Sequence, residues 1–180
     1  MVLTALTSLS LLMSHIWSGY QVAPNWQMPA LRFLKLFRIR EAVVLRRFNF
    51  LDRCGHQLIG LHIRSDGVLA PESFRSILSR MASLQSIVVD EVDLNSLREV
   101  GVSYPSILHM GLQLRDLNNA GFYTIHHITE DLRAILTNRV LPGLRSVNLL
   151  AVESEGSIDV CWSELLAVCR SKKVTLGGKQ

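Results

Sequence analysis

The sequence predicts an α/β fold made by repetition, a stack of strand, loop and helix units whose parallel strands share one core while helices cover its outer side. Three observations lead there. A block with apolar residues at relative positions 1, 4 and 6 recurs along the chain, six times clearly and once in weaker form. The segments between the blocks carry helical rather than strand periodicity. The apolar fraction of 48% over 180 residues supplies a core of ordinary size.

Leu6, Leu9 and Leu11 open the series, followed by Leu31, Leu34, Leu36 and by Leu58, Leu61, Ile63. Leu84, Ile87, Val89 come next, then Ile107, Met110, Leu112, and then Leu144, Val147, Leu149. The weaker copy at the end places Ser171 first and Val174 and Leu176 after it. Starts at 6, 31, 58, 84, 107, 144 and 171 give gaps of 25, 27, 26, 23, 37 and 27 residues. At this apolar content three positions match by chance at about one start in nine, so no single block is decisive and the weight falls on the segments between them.

Those segments are helical in pattern. Val44, Leu45, Phe48 and Leu51 follow one helix face, and so do Phe74, Ile77, Leu78 and Met81. Pro71 and Glu72 suit a first helical turn, where proline loses no needed hydrogen bond and an acid meets the positive end of the dipole. Thr129 is placed to cap a helix whose stripe is Leu132, Ile135, Leu136 and Val140, with Glu130 and Asp131 in its first turn. Pro142-Gly143 ends that helix before the next block at Leu144. The 37-residue gap holds an insertion over about 116–127, with Asn118-Asn119 and Gly121 as turn signals and Phe122 and Tyr123 as exposed loop aromatics.

Composition excludes several classes. A net charge of +4 without a dense basic run, Arg46-Arg47 and Lys172-Lys173 being the only such pairs, does not describe a nucleic-acid-binding chain. Cys54, Cys161 and Cys169 form neither an even disulfide set nor a C-x-x-C zinc pair, which points to reduced thiols in cytoplasm or nucleus. Cys54 and Cys169 each fall near a helix end, just before a strand, where a small buried residue packs well. The apolar run MVLTALTSLSLLM lacks a preceding Lys or Arg, is broken by Ser14 and His15, and is too short for a membrane span. An alternative takes that run as a signal peptide and the chain as a secreted or surface binding protein. His126-His127 has no further Cys or His at ligand spacing, so no metal is expected. No G-x-S-x-G, phosphate-binding glycine loop or H-E-x-x-H is present, so neither catalysis nor a cofactor is expected.

The stretches MPALRFLKL, FNFLDRCGHQLIGLHI, MASLQSIVV and LPGLRSVNL, each a turn or helix end leading into an LxxLxL strand, resemble the leucine-rich-repeat region of fungal F-box proteins. Five of the six gaps lie in that repeat's range of roughly 20–29 residues. The resemblance implies a solenoid bent into a horseshoe arc, with strands on the concave face and helices on the convex face. It also implies the substrate-receiving part of a ubiquitin-ligase receptor. Two departures accompany it. The Asn or Cys often found after the strand is replaced by Ser14, Ile39, Asp66, Val92, Arg115 and Val152, and no F-box is present, so a Skp-type adaptor is not expected to dock. Neither end looks capped, which leaves a fragment of a longer protein as a further alternative.

In such an array the residues between buried strand positions face the concave surface and receive a protein partner. Places 2, 3, 5 and 7 supply Arg32, Phe33, Lys35 and Phe37, then Gly60, His62 and Arg64, then Val88 and Asp90. They continue with His109 and Gln113, Arg145 and Asn148, and Lys173 beside Lys172. Six of the seven charged residues in this set are basic, which favours an acidic partner. The plainer alternatives are a merely solvated sheet face, or Phe33 and Phe37 packed under the loop that holds Trp17, Tyr20 and Trp26.

Overall fold

The computed structural model describes residues 2–12, 27–39, 50–114, 122–151 and 159–178. Within them run β1 (Ser8–Leu12), β2 (Phe33–Ile39), β3 (Gly60–Ser65), β4 (Ser86–Asp90), β5 (His109–Leu114), β6 (Ser146–Ala151) and β7 (Thr175–Gly178). All pair in parallel, in chain order, as one sheet. The fold is therefore α/β.

The helices are α1 (Leu51–Cys54), α2 (Pro71–Leu78), α3 (Leu94–Arg98), α4 (Phe122–Thr137) and α5 (Asp159–Ser171), with 3-10 turns at Gly55–Gln57 and Glu91–Asp93. Pro71 and Glu72 occupy the first turn of α2 as the sequence suggests, and Phe74, Ile77 and Leu78 are buried. Cys54 ends α1 and Cys169 lies in the last turns of α5, both buried. Neighbouring helices pack on one another, α2 on α3, α3 on α4 and α4 on α5.

Among the described residues the helices pack on one face of the sheet. Leu34, Leu36, Leu61, Ile63, Ile87, Val89, Met110, Leu112, Val147 and Leu149 share a core with residues of α2 to α5. The intervening residues of β2 and β3, Phe33, Lys35 and Arg64, are exposed. The usual all-parallel sheet is covered on both faces and reads as unbroken apolar runs. Here alternation in sequence matches helices packed on a single face among the described residues.

Position 4 of each block sits in one hydrogen-bonded row: Leu9 opposite Leu34, Leu34 opposite Leu61, Leu61 opposite Ile87, Ile87 opposite Met110, and Met110 opposite Val147. The structure adds a recurring turn. The position-1 amide donates to the carbonyl three residues earlier at Leu6, Leu31, Leu58, Leu84, Ile107 and Leu144, with Leu3, Met28, Gly55, Met81, Tyr104 and Leu141 as acceptors. The position-2 carbonyls of the first five units, Thr7, Arg32, Ile59, Gln85 and Leu108, each then accept two amides of the following unit, and that of Arg145 accepts one. The Arg32 carbonyl, for example, takes the N–H of Ile59 at 2.9 Å and of Gly60 at 3.1 Å. Backbone groups at the start of β2 to β6 are thus satisfied between units.

Four expectations need correction. The last copy enters two residues later than its spacing suggests, because α5 continues through Ser171 and Val147 pairs with Leu176. Lys173 then holds the first place, in a turn closed by its N–H to the Arg170 carbonyl at 3.1 Å. Thr129 does not cap a helix: α4 begins at Phe122, and Thr129 lies inside it, 2% exposed. Part of the proposed insertion, including Phe122 and Tyr123, is accordingly helix rather than loop. Finally, the helix expected to end at Pro142-Gly143 stops at Thr137, and the remaining residues form the recurring turn. The turn signals Asn118-Asn119 and Gly121, the helix positions Val44, Leu45 and Phe48, and the Trp17, Tyr20 and Trp26 loop lie outside the described residues.

Candidate binding surface

The sheet face opposite the described helices gathers most of the residues selected from sequence into three rows. Pairing places Ser8 beside Phe33, Phe33 beside Gly60, Gly60 beside Ser86, Ser86 beside His109 and His109 beside Ser146. The second row runs through Ser10, Lys35, His62, Val88, Gly111 and Asn148. In the third, Leu12 pairs with Phe37 and Phe37 with Arg64, while Asp90 pairs with Gln113 and Gln113 with Leu150. Strands carry alternate side chains to one face, so the first two rows are lines of neighbours about 4.8 Å apart, while the third is interrupted between Arg64 and Asp90.

Gly60 explains the seat of Phe33. A Cβ at residue 60 would fall 2.5 Å from Cδ1 of the Phe33 ring, so the ring occupies the space a side chain would fill. Phe33 nevertheless remains 46% exposed. Phe37 meets His62 edge to face, with ring centroids 5.4 Å apart. Both aromatics therefore lean on β3. An irregularity in the pairing follows, with Arg38 at φ 54 and exposed, before Ile39 returns to the core opposite Ser65.

His62 is half-buried and its Nε2 has no hydrogen-bond partner. Burial is the largest influence on its pKa and lowers it from the ordinary value, Asp90 pulls the other way, and the cations Lys35 and Arg64 lower it further. The ring is therefore neutral at neutral pH.

Other selected residues are placed differently from expectation. Asp90, at the end of β4, is completely buried and offers no charge to a partner. Arg32 and Arg145 are exposed but precede their strands, and Arg32 Nη1 donates to the turn carbonyls of Leu31 at 3.2 Å and Pro29 at 3.4 Å. Lys172 and Lys173 are exposed in the turn before β7, not on the sheet face. The basic bias spread along the whole face thus contracts to Lys35 and Arg64 on β2 and β3.

On β5 and β6 the polar groups are engaged with one another. His109 Nδ1 lies 2.9 Å from Ser146 Oγ, and Gln113 Nε2 donates to the Leu150 carbonyl at 3.0 Å. Asn148 is exposed between them. By contrast, neither Lys35 nor Arg64 forms an ion pair with a carboxylate among the described residues.

Sequence reasoning missed a second feature, which supports the loops at one edge of this face. Asp93 is fully buried, and its carboxylate accepts the Ser65 hydroxyl at 2.7 Å and the Leu69 amide at 3.0 Å. A carboxylate in the unit of β4 thereby fixes the loop that follows β3. The only sequence signal was an acid among apolar neighbours.

On the helical side, His126 Nε2 approaches Glu130 Oε1 at 3.3 Å, one turn apart. No group of three His, Cys, Asp or Glu residues able to hold a metal gathers among the described residues, and none of their helices is long and apolar enough to cross a membrane. The sequence matches no protein-family model and no curated protein.

Proposed function

We propose that this chain is a leucine-rich-repeat solenoid, concave on its strand side, that captures a partner protein on the sheet face opposite the described helices and acts by binding rather than catalysis. The observation that carries this reading is the sheet itself: an all-parallel sheet whose described helices pack on one face, with Phe33 exposed on the other beside two cations that form no ion pair among the described residues. An exposed aromatic anchor held by its neighbour is the usual core of a binding hot spot. In this reading it resembles the substrate-recognition region of an F-box ubiquitin-ligase receptor, acting in cytoplasm or nucleus on a protein with an acidic surface.

Affinity purification of the full chain from cells, followed by cross-linking mass spectrometry, tests the proposal. A stoichiometric partner cross-linked through Lys35 supports it. Cross-links confined to the helical side would refute the sheet-face assignment.

A further inference from the structure

We propose that the β2–β3 end of the sheet face receives an extended acidic segment of the partner, a carboxylate side chain lying between Lys35 and Arg64 and an apolar side chain resting on Phe33. This rests on the sheet-face reading above and narrows it to one region and one ligand chemistry.

Charge selects the region. Lys35 and Arg64 are exposed and outside any ion pair among the described residues, and Arg38 adds an exposed cation at the same end. The face of β5 and β6 is neutral and its His109 and Gln113 already bond to their neighbours. Among the described strand residues of this face, the first region carries the positive charge that a partner can neutralise.

Geometry selects the ligand. Phe33 and Lys35 stand two residues apart on one strand face, a separation of about 6.6 Å at roughly 3.3 Å per residue. An extended peptide repeats its side chains at the same interval, so an apolar residue and an acid at i and i+2 match the pair. Lys35 pairs with His62 across the ladder, and Arg64 follows two residues beyond His62, which brings the second cation to the same carboxylate. Phe33, seated over Gly60, presents its ring without needing to be ordered on binding. Two or three cations are too few for a nucleic acid, whose affinity grows with the number of phosphates neutralised.

Selection of phage-displayed random dodecapeptides on the full chain, followed by fluorescence anisotropy of the enriched peptides, tests this. The expected consensus is an apolar residue two places from Asp or Glu. Binding should weaken about tenfold or more in K35E/R64E and in F33S, fall with added salt, and stay unchanged in R133E, on the exposed side of α4 away from the sheet face. Thermal melting of the variants checks that the exposed substitutions leave the fold intact. Enriched peptides without acids, or peptides lost in N148R, on β6 of the same face, but retained by K35E/R64E, would overturn the inference while leaving the sheet-face reading standing. Peptides lost in R133E but retained by K35E/R64E, or indifferent to every one of these substitutions, would overturn both, and failure to enrich any sequence would overturn the inference.

Discussion

Asp93→Ala should destabilise the protein by about 2 to 3 kcal/mol, and Asp93→Asn by only about 1 kcal/mol. The carboxylate is fully buried and accepts the Ser65 hydroxyl at 2.7 Å and the Leu69 amide at 3.0 Å. The two bonds do not simply sum, because burying the charge itself costs energy that the alanine variant recovers. What alanine leaves behind decides the magnitude. The Leu69 amide is buried and loses its acceptor, a penalty of roughly 1 to 3 kcal/mol, with a small void added. Ser65 loses less, since its hydroxyl also reaches the Gly67 carbonyl. Asparagine keeps Oδ1 for Leu69 and turns an N–H toward the Ser65 oxygen, while Ser65 donates to Gly67. Urea unfolding of the three proteins measures the differences, and hydrogen exchange at the Leu69 amide should quicken most in the alanine variant. Equal losses in the two variants, or an alanine variant within about 0.5 kcal/mol of the parent, would refute the reasoning.

Two further predictions concern single residues. Because burial holds His62 below its ordinary value, the unfolded chain takes up its proton first, so stability fully present above pH 6.5 falls as the pH drops below it. His62→Asn should flatten the decline in melting temperature between neutral and mildly acidic pH, and an identical slope in the variant would exclude His62 as a contributor. At Gly143 a Cβ would overlap the backbone carbonyl oxygen of Pro105, and at Gly55 that of Arg80, so alanine at either site forces adjacent turns apart. Each should cost about 1 to 3 kcal/mol, seen as a lower urea midpoint.

The apolar spacing by itself determined where the strands lie and which face of each is buried. A period of two cannot be shifted by one residue without exposing Leu34, Leu36, Leu61 and Ile63, so hydrophobicity alone fixes that choice. The same rule identified Phe33, Lys35, His62 and Arg64 as facing away from the core. The last unit was misread because Val174 and Leu176 satisfy the pattern in more than one frame, and only the pairing with β6 selects between them. Thr129 was misread for a related reason: a residue type favoured at caps is also tolerated inside a helix when packing covers it.

What the tertiary structure decided was which of the outward residues are available. Asp90 occupies an outward position in its strand yet is sealed from water, and Arg32 occupies a neighbouring place yet bonds to its own turn. Burial and hydrogen bonding at those sites depend on atoms from other units, brought close by register and by turns that approach at glycines such as Gly143. Sequence spacing carries the identity of a face because that follows from one chain's geometry. The charge left on that face is a sum over neighbours, and it exists only after the units have stacked.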